Sequence, residues 1–178
     1  MPPSWSASLT TSIRLLIADS GPLIALARLD LLALPGRFFD EVVVTPTVWM
    51  EVTRKPMRDE TDRLEAAMSA GRLTLSTRSP ADPSAAPDVL TRGGVDAGER
   101  SVILLALQTD ATLLMDDRRA RQAALALGLP VVGTLGLLTQ ARKLGMLMPL
   151  RPLLLHLRAT GYYLPADAVA LVLANLGE

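Results

Sequence analysis

Three short apolar runs frame this chain, because each ends at a residue that starts a helix. RLLIAD at 14–19 is followed by Ser20, Gly21 and Pro22, EVVVT at 41–45 stops at Pro46, and TLLM at 112–115 runs into Asp116 and Asp117. Such runs of Val, Ile and Leu read as strands covered on both faces. Ser20 suits an N-cap and Pro22 a first helical turn, so a helix is expected through LIALARLDLL. Thr45 caps a second helix, which begins at Pro46 and carries Trp49 and Glu51. Residues 58–70 read as a polar-faced helix closed by Gly71, 73–76 as a short strand and 79–94 as a loop. Asp96 caps the apolar helix AGERSVILLALQ, and 118–127 form a helix ended by Gly128. Val131 and Val132 make the last strand. Three more helices follow Thr134: TLGLLTQARKL, PLLLHLRAT and ADAVALVLANL. Strands alternating with helices return to the same end of a sheet and run parallel. The expected fold is α/β: a three-layer α/β/α arrangement with a central parallel sheet and extra C-terminal helices.

Composition narrows the function classes. The chain has 178 residues, 49% of them hydrophobic, enough for one domain with a real core. Acidic and basic residues balance at 18 each, which argues against a generic polyanion-coating protein. Six aromatic residues are too few for a stacking platform for single strands. No cysteine is present, so disulfides, thiolate metal sites and a thiol nucleophile are excluded, and a reducing cytoplasm is the expected location. A single histidine, His156, excludes the H-E-x-x-H metal motif. No apolar run approaches the ~20 residues of a membrane span. MPPSWSASLTTS lacks a basic start and an apolar centre, so residues 1–12 read as a disordered tail. Phosphate-binding G-x-x-x-x-G-K-[ST] and G-x-G-x-x-G motifs are absent.

The acidic residues fall where a parallel sheet gathers ligands, beyond the carboxyl ends of its strands. Asp19 ends the first strand, and Asp116 and Asp117 end the strand at 112–115. Glu99 stands in the first turn of its helix, and Glu51 in the second turn of the helix after EVVVT. Oxygen-only clusters of this kind suit magnesium or manganese and the hydrolysis of phosphodiesters. Each acid also has a purely structural reading. Asp19 and Ser20 suit strand-end capping. Glu99 follows Asp96 at capping-box spacing. Glu51 precedes Lys55 by four residues, the spacing of a surface ion pair. Of Asp116 and Asp117, one is enough for a cap and the second is in excess. Arg118, Arg119 and Arg121 form either a solvated helix face or a grip on phosphates, for which guanidinium has matched geometry.

LLIADSGPLIALARL, VVVTPTVWMEV, VDAGERSVILLAL and LLMDDRRARQAALALGLPVVGTLGLL together resemble a PIN-domain protein, and more closely the VapC-like branch with a G-E pair in place of the usual central aspartate. The resemblance covers residues 13–145, and the C-terminal helices also look like those of that branch. It implies a PIN-like domain over 13–145 with a helical extension, 146–178, packed on it. It implies a Mg²⁺- or Mn²⁺-dependent endoribonuclease acting on RNA, the toxin of a type II toxin–antitoxin pair, with a small antitoxin protein as partner and a homodimer as assembly. By the same resemblance Asp19, Glu51, Glu99 and Asp117 are the catalytic acids. Asp19, Glu99 and Asp117 hold metal, with Asp116 as the neighbour that can substitute, and Ser20 orients the first acid. Two departures stand out. Glu99 reaches further than an aspartate would, and M-D-D-R-R-A replaces the usual T-x-D-x-D-F, so the last acid stays open between Asp116 and Asp117. A second reading is a non-catalytic RNA-binding or protein-interaction subunit that keeps the fold.

Overall fold

A computed structural model describes residues 13–54, 58–78, 87–92 and 94–178. β1 (Leu15–Ala18) sits at the centre of a five-stranded sheet with β2 (Glu41–Val44), β3 (Thr74–Leu75), β4 (Ala111–Leu114) and β5 (Val131–Val132), in the order β3-β2-β1-β4-β5. Every pairing is parallel, with Ile17 opposite Val43 on one side and Leu113 on the other. Leu16, Ile17 and Ala18 are fully buried. Successive side chains on a strand point to opposite faces, so β1 is covered above and below, as its unbroken apolar run requires. The α/β expectation is met: helices flank a parallel sheet.

The helices are α1 (Ser20–Arg28), α2 (Pro46–Arg54), α3 (Arg58–Ser69), α4 (Asp88–Arg92), α5 (Ala97–Ala106), α6 (Arg118–Ala126), α7 (Thr134–Lys143), α8 (Leu150–Ala159) and α9 (Ala166–Leu176). α5 packs on β1 and β4, and α1 lies against α2, α3 and α7. No described helix is long and apolar enough to cross a membrane.

Three local details depart from the sequence expectation. The cap of α1 is Asp19 and not Ser20, which is the first helical residue. α1 also stops at Arg28, short of Leu32. Asp30 takes a left-handed φ of 56°, its N–H bonds to Ala27 O, and Leu31 N–H reaches Leu26 O at 2.8 Å. That is a Schellman closure, which aspartate tolerates better than most residues. The loop expected at 79–94 ends in α4, because Leu90 is fully buried and anchors a turn that glycine and proline counts conceal. The rest of that loop up to residue 86, Gly93 and the tail expected at 1–12 lie outside the described residues.

The C-terminal helices α7, α8 and α9 pack on one another. α8 buries Leu150, Leu154 and Leu157, one stripe at helical spacing. Arg28 from the last turn of α1 donates to Thr160 O at 2.8 Å, tying the end of α8 back to the body. Arg142 of α7 pairs with Glu178 at 2.9 Å and lowers its pKa, the hydrogen bond being the main cause.

A buried hydroxyl chain joins α2 to α5. Ser101 Oγ lies 2.7 Å from both Gly98 O and Thr45 Oγ1, and Val48 N–H donates to Thr45 Oγ1 at 3.2 Å. A carbonyl only accepts, so Ser101 gives its proton to Gly98 and Thr45 gives its own to Ser101. Thr45→Val keeps the shape but leaves Val48 N–H uncapped and Ser101 without its donor. Urea unfolding should show a loss of about 1–3 kcal/mol. An unchanged midpoint would mean that the chain contributes nothing to joining the two helices.

Candidate acidic site at the sheet edge

Asp19 continues the sheet by one residue: its N–H donates to Leu114 O at 3.0 Å. Its side chain is therefore delivered just beyond the carboxyl end of the central strand, 5% exposed. An N-cap aspartate ordinarily accepts from the second or third N–H of its helix, and Asp19 makes no such bond. Its Oδ1 is buried without a partner among the described residues. Burial is the main cause of a pKa raised from 3.8 to about 7; the main-chain N–H of Ser20 pulls it down, and the charges of Glu99, Asp96 and Glu51 push it further up. Capping does not account for this carboxyl group.

Glu99 is buried and closes a full capping box at the start of α5. It accepts from Asp96 N–H at 2.9 Å, and its own N–H donates to Asp96 Oδ1 at 2.8 Å. Its pKa too is raised, by burial first and then by Asp96, Asp117 and Glu51 against the pull of the Asp96 N–H. The capping reading of Glu99 is thus correct. Glu51 reaches the same place from α2. A Cβ on Gly98 would stand 2.6 Å from Glu51 Oε2, so the glycine before Glu99 is what admits this carboxylate against the first turn of α5. Helix starts favour negative charge there. Lys55, the ion-pair partner expected for Glu51, lies outside the described residues.

The two adjacent aspartates divide their tasks. Asp117 is exposed and caps α6, Oδ1 accepting from Arg119 N at 2.8 Å and Ala120 N at 3.0 Å. Asp116 spans to other elements: Thr134 N donates to Oδ1 at 2.8 Å, Thr134 Oγ1 to Oδ2 at 2.6 Å, and Tyr162 OH also to Oδ2. A Cβ on Gly133 would stand 2.8 Å from Asp116 Oδ1 and 2.9 Å from Arg121 Nη1, so a side chain before α7 would push one or both of them aside.

The arginines separate as well. Arg118 and Arg119 are exposed, and Arg119 lies across Gly94, 3.2 Å from where a Cβ would stand. Arg121 is half-buried and donates to Met115 O at 2.8 Å, so it does not share their open face. Ser20 meets Asp19 through its main-chain N–H.

Of the acids expected from the sequence, Glu99 and Glu51 lie close enough to Asp19 to raise its pKa, and Glu51 and Asp117 close enough to raise that of Glu99. Among the described residues, however, no three such side chains are close enough to form a ready metal-ligating group. In donor type they fit a hard divalent ion: oxygen ligands only, with one buried oxygen lacking a partner. Sequence reasoning missed Tyr162 and Thr134, and took Asp96 for a cap alone. No local pattern marks Tyr162, whose role depends on a contact across 46 residues. Tyr162 also lines a cavity of about 620 Å³ between α8 and α9, together with Leu154, Tyr163, Val169 and Leu173 among others.

Over residues 15–178 the chain matches the family model described as PIN domain. No curated protein matches it significantly.

The raised pKa of Asp19 fixes a sign. Without metal, the folded state holds this proton up to about pH 7, while the unfolded chain releases it near 3.8. Its contribution is most favourable below pH 4 and is lost as the pH rises to 7. Asp19→Asn removes the penalty. Above pH 7 the metal-free variant should be more stable than the wild type, by up to about 4 kcal/mol, and the two should converge below pH 4. Parallel stability curves across this range would mean that Asp19 ionises at its ordinary value.

Proposed function

The chain belongs to the PIN-domain family, and from that premise we propose that it is a Mg²⁺- or Mn²⁺-dependent endoribonuclease, the toxin of a VapC-like toxin–antitoxin pair. The observation that carries this reading is Asp19: a buried carboxyl at the end of the central strand, with one oxygen unpartnered and its proton held by burial among other acids. Asp19, Glu99 and Asp117 would hold the ion, with Glu51 or Asp116 completing the set. A bound divalent ion supplies an activated water and stabilises the leaving oxygen of a phosphodiester. The chain's own part is to gather carboxylates at a rigid edge, to give up the Asp19 proton when a cation arrives, and to hold the substrate backbone with Arg118 and Arg119. RNA as substrate, a small antitoxin protein as partner, a homodimer as assembly and the cytoplasm as location belong to the same proposal. The second reading, a non-catalytic binding or interaction subunit, draws on the lack of a preassembled three-acid cluster among the described residues.

The two readings part on one comparison. Wild-type protein should bind Mn²⁺ in calorimetry and cleave a structured RNA. Glu99→Gln keeps the capping box, because glutamine serves there as well, and should fold normally yet lose cleavage by about 100-fold or more. Near-normal turnover in that variant would remove Glu99 from the site. A wild type that binds RNA but neither takes up Mn²⁺ nor cleaves would establish the binding-subunit reading instead.

The arginine assignment has its own measurement. Replacing Arg118 and Arg119 together with alanine should weaken RNA binding and reduce the slope of log affinity against log salt by about 1–2, because one or two phosphates are no longer neutralised. Arg121→Ala should leave that slope alone. If the double variant keeps the wild-type slope, these side chains are ordinary solvated surface.

A further inference from the structure

Tyr162 lies beyond the C-terminal end of α8, far in sequence from every acid of the edge, yet it occupies that edge. Its hydroxyl donates to Asp116 Oδ2 and lies 3.5 Å from the position of a Cβ on Gly21, the second residue of α1. Asp19 is two residues before Gly21, so this one hydroxyl stands between the ends of β1 and β4. Thr134 supplies the other two donors to Asp116. An ionised carboxylate has about four acceptor sites. With three filled, Asp116 is fixed in orientation and keeps about one free. Neither Asp117, which caps α6, nor Glu99, in its capping box, is held by a residue from outside the sheet-and-helix body in this way. We propose that Tyr162 is a positioning residue of the acidic site: through its bond to Asp116 it presets that carboxylate beside Asp19 for a divalent cation, which makes the helical extension part of the metal site.

This inference rests on the metal-dependent reading above and deepens it. The partners that orient a metal-site carboxylate typically affect metal affinity or activity by 10–100-fold when removed. Tyr162→Phe keeps the ring, which lines the cavity between α8 and α9, and deletes only the hydroxyl. In the full chain it should retain the wild-type circular dichroism spectrum and bind Mn²⁺ about tenfold more weakly. RNA cleavage should lose kcat with KM unchanged. Tyr163→Phe, at an exposed neighbour, should change none of these. Because Tyr162 acts through Asp116, adding Tyr162→Phe to Asp116→Asn should cost no further Mn²⁺ affinity. Wild-type Mn²⁺ affinity in Tyr162→Phe would overturn the inference and leave the functional reading standing. So would a full tenfold loss from the same change in the Asp116→Asn background, a comparison that also decides the matter if the single variant folds poorly. A wild type that takes up no Mn²⁺ would sink the functional reading and this inference with it.

Discussion

The parallel pairing of β1 with both β2 and β4 is the constraint on which the rest of the molecule depends. A strand with neighbours on two edges and helices on two faces has no exposure left, and Leu16, Ile17 and Ala18 have none. Every polar atom at its carboxyl end then needs a specific partner or a tolerated cost. The Asp19 N–H finds its partner in Leu114 O; its carboxyl does not find a full set. The main-chain ladder that stabilises the sheet is thus the same feature that places an unpaired carboxyl oxygen at its edge. Sheet and site share one origin: the central strand is too well covered for the residue that ends it to reach water freely.

Each acid at this edge is supported differently. Glu99 and Asp117 gain local stability at helix starts, through bonds that would exist in any protein. Glu51 depends on the missing side chain of Gly98, and Asp116 on the missing side chain of Gly133. Two glycines therefore give these carboxyl groups room to approach the backbone at distances where a Cβ would make them shift. This also explains why local roles and a shared role coexist. A capping bond fixes one oxygen of a carboxylate and leaves the other face of the group to its surroundings.

Much of this was legible in the sequence, and the boundary is physical. Strand positions, the parallel run of the strands and the acids at strand ends follow from periodicity and capping chemistry, which are encoded within a few residues; the strand order does not. Val131–Val132 and Ala166–Leu176 fall where the pattern puts them. The end of α1 did not, because Asp30 in a left-handed conformation is a choice that only Leu31 packing back on the helix makes visible. α4 was hidden by its composition. Tyr162 was beyond reach altogether: nothing near G-Y-Y-L-P points to a carboxylate 46 positions earlier.

That long-range bond also sets an order of assembly. A chain emerging from its N-terminus can pair β1 with β2 once residue 44 is made, and can add β4 and β5 by residue 132. Asp116 by then has Thr134 within two further residues, but its third donor waits until Tyr162 exists. The framework can therefore stand, complete in its strands, before its acidic edge is. A chain halted in this interval would display the sheet with one carboxylate still incompletely held, and only the arrival of Tyr162 would remove that difference.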